Sequence, residues 1–329
     1  GMTLQVQVVS AGSTTAAGST TDDGADVVPD GGSDGHDHSG TDGHAHHAAS
    51  GEPASLDAMA EPAAGFTARD AVLPPLDDER VRRVTLTVSE TEVEVAPGVT
   101  QTLWTYNGTA PGPTLHGRVG DRFVVTLVND GSIGHSIDFH AGALAPDRPM
   151  RTIQPGESLT YRFTATRAGI WMYHCSTMPM STHIANGMFG AVVIEPEGLP
   201  AVDRSYLLVQ SEMYYGPQGG PVDADNLAAE APDAVVFNGY AFGYDHDPLP
   251  ARVGERVRVW VLDAGPNRAT SFHVVGGQFD TTWAEGDYLL RDGGATGDGG
   301  AQSLALQAAQ GGFVELAFPE AGHYPFVSH

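Results

Sequence analysis

The chain contains no lysine: its 16 basic side chains are all arginine, and 41 acidic residues leave a formal net charge of −25. This argues against nucleic acid and anionic lipid as partners, because their phosphates would be repelled rather than neutralised. The field suits either a cationic protein partner or nothing more than solubility in a high-GC or salt-adapted organism. Cysteine is almost absent too. With Cys175 alone no intrachain disulfide can form, so that thiol is buried and inert, reactive, or a metal ligand. No apolar run reaches about 18 residues, which excludes a membrane-spanning helix. A signal peptide is missing, while Gly1-Met2 resembles a cloning scar. The expectation is that an export segment or N-terminal anchor has been removed.

Aromatics are nearly missing from residues 1 to about 69, which are rich in Ser, Thr, Gly, Ala and Asp. Such a composition buries too little apolar surface to offset its ordering entropy, so residues 1–79 are expected to be a disordered, low-complexity tail and lead-in. Within it, "HDHSGTDGHAHH" gathers His36, His38, His44, His46 and His47, either as a loose transition-metal chelator or as part of a linker with no specific role.

Helical periodicity is also lacking. From Val81 onward, short β-branched and aromatic runs ("VRRVTLTV", "RFVVTLVND", "LTYRFTAT", "GAVVIEP", "RVRVWVLD", "FVELAFP") alternate with Gly, Pro, Asn and Asp. This spacing predicts an all-β antiparallel sandwich or barrel. An internal repeat refines it. "RVGDRFVVTLVNDG" (118–131) returns as "RVGERVRVWVLDAG" (252–265), each preceded by an aromatic-Asn-Gly turn and followed by a Phe-His pair, Phe139-His140 and Phe272-His273. "AGIWMYHC", carrying His174, parallels "AGHYPFVSH", which ends at His329. The prediction is two tandem β-sandwich domains, 80–198 and 199–329, the second one strand short where the first has "HIANGMFGAVVIEP".

The first repeat holds a soft-plus-imidazole donor set: His135, Cys175, His183 and Met188. A thiolate and a distant thioether suit Cu(I), while two imidazoles tolerate Cu(II), so this set fits a blue electron-transfer copper. The spacing Cys-x7-His-x4-Met, between a Gly-aromatic strand and a Gly-x-hydrophobic strand, is specific. Met178 and Met180 share the loop and are read as packing or partner surface.

"GHSIDFHAG", "WMYHCSTMPMSTHIANGMFGAVVIEPEGLPAVD" and "SFHVVGG" resemble the copper-containing nitrite reductases, in the subgroup with the shorter Cys-to-His loop, from about residue 80 onward. The resemblance implies a homotrimer of two-domain, cupredoxin-like Greek-key subunits. It assigns His135, Cys175, His183 and Met188 to a type 1 copper. His140 and His174 would bind a type 2 copper, completed by His329 of the adjacent subunit; three imidazoles leave a position open for a small anion. Asp138 and His273 fall on the proton-handling pair, and Val275 lies over the substrate position, where the family commonly has the larger Ile. Asp138 precedes His140 by two residues, so strand alternation puts both on one face; the carboxylate either handles a proton or orients the imidazole. Reduction of nitrite takes one electron and two protons, and the adjacent His174 and Cys175 offer a covalent path between the coppers. The resemblance further implies an extracytoplasmic (periplasmic, cell-surface or secreted) protein and a small redox donor, a cupredoxin or cytochrome c. His116, His246 and His323 match no family position and are read as structural or surface residues. The sequence ends at His329 without the family's following segment, which normally helps lock the trimer.

Two rivals remain. A two-domain laccase-like multicopper oxidase resembles this chain in its repeats, but needs eight histidines for a trinuclear cluster besides two for a type 1 copper. Residues 80–329 hold 9 histidines, no His-x-His pair, and His-Cys-Ser where His-Cys-His is required. The second rival is a non-enzymatic electron-transfer or copper-storage protein in which only the type 1 site works.

Overall fold

The computed structural model describes residues 3–9 and 51–329. β1 (Thr3–Val9) is followed by β2 (Val81–Ala96), β3 (Val99–Tyr106), β4 (Leu115–Arg118), β5 (Arg122–Asn129), β6 (Asp138–Phe139), β7 (Ser158–Thr164), β8 (Gly169–His174) and β9 (Phe189–Glu195). The second repeat contributes β10 (Arg204–Met213), β11 (Ala234–Phe237), β12 (Leu249–Arg252), β13 (Arg256–Asp263), β14 (Thr270–Val274), β15 (Thr281–Ala284), β16 (Asp287–Leu290), β17 (Ser303–Leu306), β18 (Gly311–Ala317) and β19 (Gly322–Ser328). Four sheets result, ordered β3-β2-β5-β7, β4-β9-β8-β6, β11-β10-β13-β18-β15-β16 and β12-β1-β19-β14-β17.

The sheets form a stack with a core in every gap. Phe123, Val125 and Leu127 of β5 meet Tyr173 of β8 and Val192 and Ile194 of β9 in the first sandwich. Val257, Val259 and Val261 of β13 meet Phe272, Val274 and Phe326 in the second. The gap between the sandwiches is equally apolar: Ile170, Met172, Ala191 and Val193 pack against Leu207, Val209, Trp260, Leu262 and Phe313. Alternate residues of β9 and β13 thus enter different cores. Strands buried on both faces read as continuous apolar runs, which is why "GAVVI" and "VRVWVL" show no alternation, whereas β5 alternates buried and half-buried positions.

Both Asn-Gly turns fold alike. Asn107 and Gly108 have φ of 56° and 75°, and Asn238 and Gly239 have 54° and 84°, the left-handed region that a type I′ turn requires. A Cβ on Gly239 would lie 2.0 Å from the Ala110 carbonyl oxygen, so the close approach also demands glycine.

The cupredoxin-like double sandwich agrees with the sequence, with corrections at its N-terminal end. Residues 51–79 were expected as tail but pack onto the sandwiches: Ala71 and Leu73 are buried, and Arg69 donates to the carbonyls of Pro111 and Gly112. The strand expected to be missing from the second sandwich is supplied by β1, which pairs parallel to β12 and antiparallel to β19. In the first sandwich β9 makes the same pairings with β4 and β8. The histidine-rich run 36–47 lies outside the described residues.

Candidate metal centres and active site

Cys175 follows the last residue of β8, and His183 sits in the last turn of α1 (Met180–Ala185). The α1 loop folds back on the thiol: Met188 N–H donates to the His183 carbonyl at 3.1 Å, and Cys175 N–H to the Met188 carbonyl at 3.1 Å. His135 comes from across the sandwich, where its backbone pairs with Ile153. The Cys175 Sγ lies 3.3 Å from His183 Nδ1 and 4.0 Å from His135 Nδ1, and the two Nδ1 atoms are 3.2 Å apart. All three side chains are buried, and Met188 shares their core at 0% exposure. Burial pushes His135 down to about 4, against the opposing pull of Glu90, so its ring is neutral at ordinary pH. The neutral His135 imidazole, the His183 imidazole and one thiol, converging in an apolar interior, fit a copper ion of the His2Cys kind with Met188 as the weak fourth donor.

Sequence reasoning missed the surroundings of this group. Ser136 N–H donates to Sγ at 3.4 Å. The Ser136 hydroxyl lies 3.8 Å from Sγ and accepts from Ser176 N–H and the Thr177 hydroxyl, so its own proton can turn to the sulfur. Trp104 packs edge-on to both His135 and His183, with ring centroids 5.7 and 4.8 Å away. Ser136 is at least adjacent to a candidate ligand; nothing local marks Trp104, which arrives from β3.

The second group is one residue away along the chain. His174 is the last residue of β8 and pairs in register with Asp138 of β6; His140 follows β6 and is fixed by its N–H to the Met172 carbonyl at 3.0 Å. The Nε2 atoms of His140 and His174 are 3.0 Å apart, with the rings near perpendicular. His174 Nδ1 is 2.9 Å from the Cys175 carbonyl. Since a carbonyl only accepts, Nδ1 carries a proton. Burial first, and His174 second, push His140 below the usual histidine range, while Asp138 pulls the other way. Two ring nitrogens this close share either a proton or a cation. Two imidazoles on one ion at about 2.0 Å each stand about 3 Å apart, so the pair fits a metal.

Asp138 Oδ2 is 3.7 Å from His140 Nε2, and the Tyr161 hydroxyl donates to Asp138 Oδ1 at 3.5 Å. Burial and Asp138 hold the Tyr161 phenol up at about 12, so it remains a donor. Sequence reasoning did not single out Tyr161, which reaches the site from β7.

His273, Val275 and His329 gather on the second sandwich. The rings of His273 and His329 are 5.4 Å apart, His329 N–H donates to the Ser271 carbonyl at 3.2 Å, and Val275 N–H to the Pro325 carbonyl at 2.8 Å. His273 donates through Nδ1 to the Gln302 carbonyl, with Nε2 on the other side of the ring. Val275 is 44% exposed in the single chain. Among the described residues, two groups of three donors fall within 4.8 Å, His135-Cys175-His183 and Asp138-His140-His174, and neither includes His273 or His329. The other three histidines have separate contacts: His116 with Glu195 and the Pro74 carbonyl, His246 with Glu61, His323 with Gln5.

Residues 87–198 match the family model of multicopper oxidases. The chain is 37% identical to a copper-containing nitrite reductase of Neisseria gonorrhoeae over 257 residues, 75% of this chain and 64% of that protein. It thus spans slightly less than two thirds of that relative. A copper-containing nitrite reductase of Alcaligenes xylosoxydans xylosoxydans is 32% identical, with 70% of this chain and 76% of the relative covered. The solved copper nitrite reductase of Nitrosomonas europaea superposes with a TM-score of 0.68 at 36% identity, over 76% of this chain and 88% of that one.

Proposed function

The chain belongs to the copper-containing nitrite reductase family, and from that membership we propose that it reduces nitrite to nitric oxide at a pair of copper sites. His135, Cys175, His183 and Met188 hold a type 1 copper. His140 and His174 hold a type 2 copper, completed by His329 of a neighbouring copy in a homotrimer. The observation that carries this reading is the peptide bond between His174 and Cys175: two metal-competent groups are ligated by consecutive residues, so a covalent path links them.

Copper supplies a one-electron couple at the first site and an electrophilic open position for a small anion at the second. The remaining work falls to the chain. Nitrite, one electron and two protons become nitric oxide and water, with one N–O bond broken, so acid groups must stand beside the departing oxygen. Asp138, held by Tyr161 and beside His140, is suited to deliver one proton. His273 of the neighbouring copy, which lies beside that copy's His329, would deliver the other from Nε2 as an imidazolium, its Nδ1 engaged by the Gln302 carbonyl. Val275 of the neighbouring copy bounds the anion position and leaves it more room than an isoleucine would.

The electron donor docks where the first site approaches the surface. Met178, Met180 and Ile133 are 77%, 41% and 40% exposed, near His183 and His135 in sequence, and the net charge of −25 favours a cationic redox protein. No described helix is long and apolar enough to cross a membrane, and an extracytoplasmic location fits this role. Anaerobic assay of copper-loaded protein with a reduced mediator tests the reading. Nitric oxide formed in proportion to nitrite supports it. Oxygen consumption with a phenol would favour the oxidase rival, and one copper per subunit in fully loaded protein would favour the carrier.

A further inference from the structure

We propose that Trp104 is the port through which an electron enters the first copper site, and that the acidic edge beside it selects a cationic redox protein as the donor. The proposal rests on the reading of His135, Cys175, His183 and Met188 as type 1 ligands.

An electron has to cross the shell of that site, and the ligands themselves barely reach water. His135, Cys175 and Met188 are 0% exposed and His183 is 3% exposed. Among the described residues, Trp104 alone lays an aromatic ring against both ligand imidazoles, edge-on in each case, at separations where rings are in contact. It is only half-buried, so its indole bridges the imidazole edges and the surface.

Register puts it there. On one face of β2 and β3 the successive pairs are Val88 with Tyr106, Glu90 with Trp104 and Glu92 with Thr102. Val88 and Tyr106 belong to the apolar core of the first sandwich. One step further the core gives way to glutamate and tryptophan, and this pair closes the end of the sandwich over the two imidazoles. A Cβ on Gly131 would lie 3.2 Å from Glu90 Oε1 and 3.4 Å from His135 Nε2, so little more than a glycine separates that carboxylate from the ligand ring.

Both ligand-bearing loops seat the pair. Trp104 N–H donates to the Asn186 carbonyl at 2.8 Å, between His183 and Met188. Glu90 Oε1 accepts from the Ser132 N–H and hydroxyl at 2.8 and 2.9 Å, beside the exposed Ile133. Strand alternation carries Glu92 and Glu94 along the same face as Glu90, and both are exposed. An aromatic anchor rimmed by carboxylates fits a donor that surrounds its redox edge with cations. In the transfer a ferrous haem protein gives up one electron and becomes ferric, and the oxidised first site gains that electron. No bond breaks and no proton moves; Trp104 is not itself oxidised but supplies the contact across which the electron passes.

Stopped-flow bleaching of the thiolate band in the copper-loaded full chain tests this, with reduced mitochondrial cytochrome c as the cationic donor and hydroquinone as a small uncharged reductant. Rates are compared at equal driving force, set from the midpoint potential of each variant. Trp104→Leu should lower the second-order rate constant with cytochrome c by about tenfold or more, the cost of losing an interface hot spot, and leave the hydroquinone rate nearly unchanged. Trp104→Phe, which keeps a ring, should stay close to the parent with both. Glu92→Arg reverses an exposed charge beside the port; it should slow cytochrome c alone, and the difference should shrink as salt rises. An undiminished cytochrome c rate in Trp104→Leu overturns the proposal. An equal fall with both reductants overturns it too, since the tryptophan would then only support the ligands. If Trp104→Leu loses the thiolate band, Glu92→Arg decides: a salt-sensitive loss confined to cytochrome c supports the port, and an unchanged rate overturns it. A parent protein whose band is bleached by hydroquinone but not by cytochrome c refutes the proposal alone. A parent protein with no thiolate band refutes the type 1 reading and the proposal with it.

Discussion

Asp263 is the buried carboxyl with the most to lose from ionisation. It is 0% exposed at the end of β13, its Oδ1 accepts from Gly265 N–H at 3.0 Å, and its Oδ2 has no partner. Burial, with Glu212 adding to it, pushes this carboxyl from 3.8 up to about 7. The repeat shows the alternative. The matching position in the first sandwich is Asn129, whose Oδ1 likewise accepts from Gly131 N–H at 3.0 Å while its Nδ2 donates to the carbonyls of Ile133 and Ile153. A carboxyl whose native value lies above its unfolded value binds more protons when folded, so stability falls as pH rises from about 4 to about 7. At 1.36 kcal/mol per decade, the ionised group costs about 4 kcal/mol above pH 7, an upper bound because buried sites relax. Asp263→Asn removes that dependence while keeping the acceptor for Gly265. Thermal unfolding of both proteins at several pH values from 5 to 8.5 is the assay. The variant should melt higher at pH 8, by roughly 3 °C per kcal/mol for a unit of this size, and the gap should shrink toward pH 5. A difference independent of pH would refute the reasoning, because it would mean that Asp263 does not change its proton occupancy on unfolding.

His329→Ala should lose the second copper and keep the thiolate band, as read by metal analysis and visible absorption; the opposite pattern would overturn the ligand assignment. Asp138→Asn should lower nitric oxide formation by about 10²–10⁴-fold with both coppers still bound. An undiminished rate would reduce Asp138 to a support for His140. Ser136→Ala removes a hydroxyl whose proton faces the thiolate, and donors to that sulfur favour the reduced metal. Its midpoint potential, followed by redox titration of the thiolate band, should therefore drop, and an unchanged value would show that the backbone N–H alone tunes the sulfur.

The candidate donors were legible in the sequence because coordination dictates residue type. A thiolate, imidazoles and a thioether have few substitutes, and Cys175, His183 and Met188 lie within fourteen residues on one loop. The duplication was legible for a related reason: an Asn-Gly turn must satisfy positive φ twice in succession, which few residue pairs do, so the motif survives in both copies. Ser136, Trp104 and Tyr161 meet looser demands. A donor near sulfur, a ring edge against an imidazole and a hydroxyl on a carboxylate can each come from several residue types and from any neighbouring strand, so spacing carries no trace of them.

β1 fails to stand out for a different reason. "TLQVQVV" makes no demand on backbone angles and carries no chemical group, and a seven-residue alternating run is compatible with any half-buried edge. Its assignment depends on a partner, Gly322–Ser328, at the far end of the sequence. What pointed to it was the repeat itself, since β4-β9-β8 in the first sandwich requires a strand between β12 and β19 in the second.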